Sequence, residues 1–388
     1  MNRYEKYTKS AADDAHSRSV SSGTPEMKKL IGSAAIVATL LVAFTARGEH
    51  EDEAMDRRSH HPITIAVFGD WPYSIPLLNS ADLLINSINS DPEVSLVMHV
   101  GDTHSGAMPC TGAGLDPRPA GAAPHWNEDI FKLFERFSDP MVYTPGDNEW
   151  VDCHQPGELG SGAPLNELAA VRSIFFPESG VTLGMHKRRV LTQAKKFNRI
   201  YPSDAQYVEN VMWQQSGVVF VVVNMPGSNN DGVTWTAPFT DETARTREAA
   251  QRTGAAIRWL QKAFARAEDE GAKALVIGLQ ANMWVQGGSN FSLFVHELAN
   301  LSLHFGRPVL LLNGDTHTFF SDKPLADPNS TTGRIHGAPA VPNLTRITVQ
   351  GALIAPSEWL RLTIDPHAAE VFTWQNVPYC ATPAVACP

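Results

Sequence analysis

Four aspartates of this chain each follow a glycine, and each Gly-Asp pair comes shortly after an apolar run. The pairs are Gly69-Asp70, Gly101-Asp102, Gly146-Asp147 and Gly314-Asp315, and His317 lies two residues after the last of them. A single Gly-Asp pair is ordinary turn chemistry. Four converging carboxylates, however, would repel one another unless a cation were bound. The recurrence therefore predicts a carboxylate-rich metal site.

The elements that position these aspartates predict an α/β fold. Short Val, Ile and Leu runs alternate with helical patterns, which indicates strands buried on both faces and helices that cover the sheet. Predicted strands are Ile63–Phe68, Ser95–Val100, Met141–Thr144, Val218–Asn224, Ala274–Leu279, Pro308–Leu312, Thr345–Val349, Leu360–Ile364 and Glu370–Trp374. Predicted helices are Ala81–Ile88, Asn127–Phe137, Asp241–Glu268 and Phe291–Leu303. Because the aspartates follow strands, they should project from the carboxyl edge of a sheet, where α/β folds bind ligands.

The ordered set of motifs resembles the calcineurin-like metallophosphoesterases, a family that includes the purple acid phosphatases. That family carries an Asp after the first strand, Gly-Asp after the second, Gly-Asn-His-Asp/Glu after the third, a lone His, and then Gly-His-x-His. The matching segments are Gly69-Asp70-Trp71, Gly101-Asp102, Gly146-Asp147-Asn148-Glu149, Leu279-Gln280-Ala281-Asn282 and Gly314-Asp315-Thr316-His317. The resemblance implies an α/β fold in four layers (αββα), with two mixed sheets flanked by helices. This domain would span residues 60–376, with residues 150–215 as an insertion.

Carried over residue by residue, the resemblance implies two divalent metal ions. Asp70, Asp102 and His317 would bind the first ion, with Asp102 bridging to the second. Asp147, Gln280 and Asp315 would bind the second ion, where the family has Asn, His and His. Oxygen donors favour hard ions, so the second position would hold Mg²⁺, Mn²⁺ or Ca²⁺ rather than zinc, or would bind its ion weakly or not at all. Iron or manganese would suit the first position.

The proton donor for the leaving group departs from the family. Asn148 stands where the family has a His, and an amide does not transfer a proton at neutral pH. His104 and His154 are the alternative catalytic candidates. In the competing interpretation His104 lies in a surface loop and His154 caps a turn. Glu149 should orient the neighbouring ligands.

Four residues are candidates for contact with the substrate. Tyr73 would either approach the metal beside Asp70 or form a wall of the substrate site. Asn224, Asn229 and Asn230 would present amides to substrate oxygens, because their loop follows a predicted strand toward the same edge. The alternative for this loop is a plain Gly/Asn turn.

The N-terminus predicts export. Residues 1–26 are a polar extension, which is either native or a misassigned start upstream of Met27. Residues 27–46 combine a short positive segment, an apolar run and small residues, which is typical of a cleaved signal peptide. The protein would then be secreted or periplasmic, without stable membrane insertion after cleavage. The alternative is a signal anchor.

The cysteines fit an oxidising compartment, because their number is even. Cys380 and Cys387 lie in a Pro-rich tail, residues 377–388, and would close a small disulfide loop. That leaves Cys110, in the loop after Asp102, to pair with Cys153, in the loop after Asp147. This disulfide would lie at the rim of the site.

These observations predict a metal-dependent hydrolase of phosphate mono- or diesters, acting through a metal-bridging hydroxide. The formal net charge of −10 argues against a nucleic acid polymer as partner, because duplex binding needs a basic face. The substrate would be a small phosphorylated molecule. The sequence contains no Gly-x-Ser-x-Gly and no His-Glu-x-x-His, the usual signatures of serine esterases and zincins. The alternative is a catalytically degenerate binding protein that keeps the fold.

Overall fold

The structure is a computed structural model that describes residues 61–110, 125–285 and 288–380. The predicted extension 1–26, the predicted signal peptide 27–46 and Cys387 lie outside these residues. In chain order the strands are β1 (Ile63–Phe68), β2 (Val94–His99), β3 (Met141–Tyr143), β4 (Leu191–Thr192), β5 (Val211–Gln215), β6 (Val218–Val222), β7 (Ala274–Gly278), β8 (Val309–Asn313), β9 (Phe320–Asp322), β10 (Leu344–Thr348), β11 (Ser357–Ile364) and β12 (Phe372–Cys380).

The helices are α1 (Ile75–Asn79), α2 (Ala81–Asn89), α3 (Trp126–Phe134), α4 (Pro164–Phe175), α5 (Gln193–Lys196), α6 (Glu242–Asp269), α7 (Ser292–Phe305) and α8 (Thr331–His336). A further helical turn, Gly227–Asp231, has left-handed dihedral angles at its three middle residues. The longest helix, α6, begins where the Asp241 side chain accepts a hydrogen bond from the Ala244 N–H at 2.9 Å. Within the described parts of the chain, no helix has the length and apolar character that a membrane span requires.

The strands form two mixed sheets. One has five strands in the order β12-β11-β1-β2-β3, and the other has seven in the order β4-β5-β6-β7-β8-β10-β9. In the first sheet β1, β2 and β3 are parallel neighbours. In the second, β6, β7, β8 and β10 are parallel neighbours. The Gly-Asp pairs therefore follow parallel strands, three in the first sheet and one, after β8, in the second.

Three buried clusters hold the elements together. One joins the two sheets and includes Val67 and Met98 of the first with Phe220 and Val276 of the second. Another joins the first sheet to helices α2, α3 and α4, and a third joins the second sheet to α6 and α7. Burial of side chains of this size is the main favourable term in folding. The chain is thus an α/β protein of two mixed sheets with helices packed on them.

The predicted strands are present with small shifts at their ends, but the segment 150–215 is more regular than predicted. It contains α4, β4 and β5, and the two strands extend the seven-stranded sheet. The predicted tail also differs, because β12 pairs with β11 as far as Cys380. Residues 377–380 are therefore strand, and Pro378 is tolerated there because β12 is an edge strand.

His99 is fully buried at the end of β2, as a core histidine. Its Nδ1 accepts from the Gly101 N–H at 3.1 Å, which leaves Nε2 to donate to the Trp71 carbonyl at 3.2 Å. The neutral ring is thus hydrogen-bonded at both nitrogens. Burial lowers the pKa of His99 to about 3.

Acid is expected to destabilise the fold through His99. Its folded-state pKa lies below the unfolded value of about 6.5, so the unfolded chain binds the proton more tightly and stability falls as the pH drops below about 6.5. At pH 4 this loss should approach about 3 kcal/mol. Urea unfolding at pH 7 and pH 4 should show a smaller loss in His99→Gln than in the wild type. Equal losses of unfolding free energy in the two proteins would contradict the conclusion that His99 is buried in its neutral form.

Candidate metal centre

The four Gly-Asp aspartates converge in the structure. Asp70, Asp102 and Asp147 follow β1, β2 and β3 and are buried, while Asp315 follows β8 and is partly exposed. The two sheets meet at this point, because the Asp315 N–H donates to Asp70 Oδ1 at 3.2 Å. The site residues predicted from strand ends are therefore brought together.

Two of the glycines make room for the carboxylates. A Cβ at Gly146 would lie 1.8 Å from Asp102 Oδ1, and a Cβ at Gly314 would lie 2.6 Å from Asp70 Oδ2. Both distances are far shorter than any real Cβ contact. Any side chain at either position would collide with a candidate ligand, which gives a physical reason for Gly in the Gly-Asp pairs.

Several site residues have left-handed backbone conformations. The positive φ angles are 50° at Asp70, 65° at Tyr73, 62° at Asp102, 78° at Asp315 and 61° at His317. Non-glycine residues seldom adopt this region, and such strain concentrates at functional sites. Here it falls on four of the six predicted metal ligands, Asp70, Asp102, Asp315 and His317, and on Tyr73 beside them.

The first predicted metal position lies between Asp70, Asp102 and His317. Ligand atoms of these three residues lie within 4.8 Å of one another. The Tyr73 hydroxyl oxygen lies among them, 3.0 Å from Asp70 Oδ1, 3.1 Å from Asp102 Oδ2 and 3.0 Å from His317 Nε2. Tyr73 has one proton to donate. Asp70 Oδ2 is buried and has no hydrogen-bond partner among the described residues, so this oxygen lacks a donor.

The charges of the cluster also call for a cation. Burial raises the pKa of Asp102 and that of Asp315 well above the ordinary value, and the charge of Asp147 raises both further. The hydrogen bond with Asp70 raises the pKa of His317. In the described part of the chain, no Lys or Arg forms an ion pair with the four aspartates. A divalent ion would favour their charged forms.

The first position therefore fits a divalent metal ion. Two carboxylates and one imidazole suit ions such as Mn²⁺ or Fe²⁺, and the hydroxyl of Tyr73 lies within hydrogen-bond distance of all three side chains. The unpaired Asp70 Oδ2 would gain a partner. Tyr73 lies beside the candidate ligand atoms, and its two alternative roles, as neighbour of a metal and as wall of the substrate site, stay predictions.

The second predicted position, between Asp102 and Asp147, does not fit an ion in the same way. The Gln280 amide nitrogen donates to Asp102 Oδ2 at 3.0 Å and to Asp147 Oδ1 at 2.9 Å. Its amide oxygen accepts from the Gly227 N–H. Gln280 was predicted to offer its oxygen to a metal, whereas the structure turns that oxygen away from the carboxylates. The network requires this orientation because carboxylates accept and an N–H donates.

The candidates for proton transfer are held by other groups. Asn148 lies at the site, where its Nδ2 donates to the His104 carbonyl at 2.9 Å and to the Tyr73 hydroxyl at 3.3 Å. The ring of His104 is buried, and burial lowers its pKa to about 4. The His154 Nδ1 accepts from the Thr236 N–H at 3.1 Å. Neither imidazole is hydrogen-bonded to the four aspartates, and His104 is not the surface residue of the competing interpretation.

The three asparagines predicted to contact substrate are directed elsewhere. Asn224 donates to Glu209 at 2.9 Å, and Asn230 donates to Thr253 at 2.8 Å. Asn229 Oδ1 accepts from the Asn290 N–H at 3.2 Å. For Asn229 and Asn230 the left-handed turn Gly227–Asp231 is the physical reason, since it rotates their side chains toward neighbouring helices and loops. Asn224 precedes this turn and is held by Glu209 instead. Their substrate-binding role has no geometric support.

Ser228 and Asp152 lie near the cluster and were not selected from the sequence. Ser228 Oγ donates to Asp152 Oδ2 at 2.8 Å. Burial raises the pKa of Asp152 to about 7, and the charge of Asp147 contributes. The available signal was the position of Asp152 within the acidic segment that follows Asp147.

Glu149 ties together the loops that follow β2 and β3. Its carboxylate accepts from the Thr103 N–H at 2.9 Å, from the Gly146 N–H at 3.0 Å and from the Tyr143 hydroxyl at 2.8 Å. Burial raises its pKa to about 7. These contacts fix the backbone next to Asp102 and Asp147, which is the orienting role expected of this residue.

A disulfide joins Cys110 to Cys153 with a Cα–Cα distance of 5.6 Å, which confirms the predicted pairing. It links the loop that follows Asp102 to the loop that follows Asp147. Cys380 is also disulfide-bonded, while Cys387, its expected partner, lies outside the described residues.

Removing the Cys110–Cys153 disulfide is expected to lower the free energy of unfolding. The cysteines are 43 residues apart. Closing a loop of this length lowers the conformational entropy of the unfolded chain, which stabilises the folded state by about 2–4 kcal/mol. Urea unfolding of the Cys110→Ser/Cys153→Ser variant measures the loss. The two single variants should lose about as much as the double variant, because either substitution opens the loop. A double variant as stable as the wild type would contradict the expectation.

Comparisons with known proteins give no family. No protein-family model matches this chain, and no curated protein matches it in sequence. Among solved structures, the chain is similar to "GAP50 the anchor in the inner membrane complex of Plasmodium". The TM-score is 0.37 at 9% identity, over 82% of this chain and 89% of that chain. A likeness at this level carries no argument about activity, so the function rests on the site itself.

Proposed function

We propose that this chain is a metal-dependent hydrolase of phosphate esters. One observation carries the proposal: Asp70, Asp102 and His317 offer ligand atoms within 4.8 Å of one another. They do so where parallel strands end, beside a buried carboxylate oxygen that has no donor in the part of the chain that the structure describes. The three buried clusters support the four-layer αββα arrangement of the metallophosphoesterases, since one lies between the sheets and the others lie under helices.

In this proposal Asp70, Asp102 and His317 hold a divalent ion. A bound ion supplies positive charge for phosphoryl oxygens and lowers the pKa of an attacking water. The Asn148 Nδ2 donates to the His104 carbonyl at 2.9 Å and to the Tyr73 hydroxyl at 3.3 Å, so both of its N–H groups are in use. In this proposal the longer bond to Tyr73 would be exchanged for one to a phosphoryl oxygen, which would stabilise negative charge in the transition state. The Tyr73 hydroxyl would lie against the same substrate oxygens or against the ion.

The geometry favours substrates with a good leaving group. Asn148 cannot transfer a proton at neutral pH, and the rings of His104 and His154 make their hydrogen bonds away from the aspartates. A leaving oxygen that departs as a stable anion needs no proton donor. We therefore propose small aryl phosphates or phosphoanhydrides rather than alkyl esters as the substrate class.

Hydrolysis of an aryl phosphate and a bis-aryl phosphate tests the proposal. Wild-type protein should release the aryl alcohol when Mn²⁺ is present and should stop when EDTA is added. A matching alkyl phosphate should be hydrolysed far more slowly. Metal binding without turnover of any of these esters would overturn the proposal.

The second candidate function is a degenerate, non-enzymatic binding protein that keeps the fold and its metal. Asn148 and Gln280 favour it, because each is an amide residue at a position where the metallophosphoesterases that the sequence resembles have a histidine. It predicts metal binding with no turnover, so the ester assay separates the two functions.

The proposed location is outside the cytoplasm. The Cys110–Cys153 disulfide supports this location, because such bonds persist in oxidising compartments. Residues 27–46 would be the export signal.

A further inference from the structure

We infer that Gln280 takes the place of the second metal ion, so that the site holds a single divalent cation. The inference rests on the proposed function, since it concerns how many ions the same site binds. It applies to the position between Asp102 and Asp147, where the sequence resemblance implies a second ion.

The hydrogen bonds of Gln280 are complete. A primary amide offers two N–H donors and one carbonyl acceptor oxygen. Its donors meet Asp102 Oδ2 at 3.0 Å and Asp147 Oδ1 at 2.9 Å, and its oxygen accepts from the Gly227 N–H. Every donor and the acceptor of the Gln280 amide thus has a partner among the described residues. At the first position, by contrast, the carboxylate oxygen Asp70 Oδ2 has no donor among the described residues.

The Gln280 side chain is also fixed by its surroundings. It is fully buried at the end of β7. A Cβ at Gly101 would lie 2.5 Å from Gln280 Cγ, so the glycine before Asp102 leaves space that the Gln280 stem occupies. Turning the amide over would point its NH₂ at the Gly227 N–H and its oxygen at two carboxylates. Both changes replace attraction by repulsion, which holds the donors on the carboxylates.

A pair of amide protons can perform the structural task of a bridging cation. Asp102 and Asp147 would repel each other if both were charged, and the Gln280 NH₂ lies between them and donates to each. Asp102 Oδ2 lies 3.1 Å from the Tyr73 hydroxyl on one side and accepts from the Gln280 amide on the other. An ion and the amide cannot share the second position.

The test is metal stoichiometry, measured by elemental mass spectrometry after dialysis against Mn²⁺ and by calorimetric titration. Wild-type protein should bind about one equivalent, and Gln280→Glu should bind about two, because a third carboxylate replaces the donors with an oxygen ligand. Gln280→His, which restores an imidazole ligand, is the second variant and should also gain an equivalent. The matched control is Gln193→Glu, another fully buried glutamine, which lies beside Asp204 and should leave the stoichiometry unchanged.

The outcomes separate this inference from the proposed function. A gain of one equivalent in the Gln280 variants, but not in Gln193→Glu, supports the inference whatever the turnover. Gln280→Glu that is folded only when Mn²⁺ is present supports it as well. Two equivalents in the wild type, or no gain in either Gln280 variant, would overturn it. The proposed function fails on a different result, namely wild-type protein that hydrolyses no phosphate ester with any metal.

Discussion

Replacing His317 by alanine is expected to abolish metal-dependent hydrolysis while leaving the fold intact. His317 Nε2 lies 3.4 Å from Asp70 Oδ1 and supplies the imidazole of the proposed ion site. Loss of a group that only orients a ligand weakens metal affinity by about 10–100-fold, so loss of a ligand should exceed about 100-fold. The side chain is 38% exposed, outside the buried clusters, so little packing is lost.

The measurement combines Mn²⁺ titration, kcat/KM for the aryl phosphate and the melting temperature. Turnover should fall to background and Mn²⁺ binding should weaken, with a melting temperature close to that of the metal-free wild type. His304→Ala is the matched control, because this histidine is 79% exposed on α7 and pairs with Glu268 at 3.8 Å. Normal turnover in His317→Ala would remove the basis of the proposed site, whereas loss in both variants would indicate unfolding or a poor preparation.

The strands and the convergence of the aspartates could be predicted from the sequence because both follow from short-range rules. Continuous Val and Ile runs such as β6 indicate buried strands. Residues that follow parallel strands share one sheet edge, which places Asp70, Asp102 and Asp147 together regardless of loop detail. Elements in the segment 150–215 were missed because β4 has only two residues and α4 follows a Gly- and Pro-rich stretch.

The roles of polar side chains were harder to predict, because a sequence does not show which atom of a side chain faces a site. Gln280 is the clearest example. Its side chain lies against Asp102 and Asp147, but the contact with the Gly227 N–H turns the amide so that it presents N–H groups to them instead of its oxygen. Asn224 and Asn230 were misplaced for a related reason. Their partners are Glu209, in the turn before β5, and Thr253, in α6, and the approach of both to the asparagines depends on the whole fold.

Alanine at Gly146 is expected to disrupt both stability and metal binding. The added Cβ would lie 1.8 Å from Asp102 Oδ1 and 2.6 Å from the Asp102 backbone nitrogen. A side chain alone could rotate away, but the backbone nitrogen can move only if the end of β2 moves. Overpacking against a fixed backbone should destabilise the fold by about 3 kcal/mol or more. Moving Asp102 would also displace a ligand, so Mn²⁺ affinity should fall together with stability.

Gly254→Ala provides the matched control with the opposite sign. Gly254 lies in the middle of α6, and the nearest atom to an added Cβ is the flexible end of Arg258 at 3.0 Å. Alanine in a helix interior is favoured over glycine by about 0.5–1 kcal/mol, so this variant should be slightly more stable and keep its Mn²⁺ affinity. If Gly146→Ala instead behaved like Gly254→Ala, Asp102 could not be packed against the Gly-Asp turn after β3. Glycine would then not be required in the Gly-Asp pair after β3. The position of the Asp102 carboxylate, which contacts both Tyr73 and Gln280, would also be wrong.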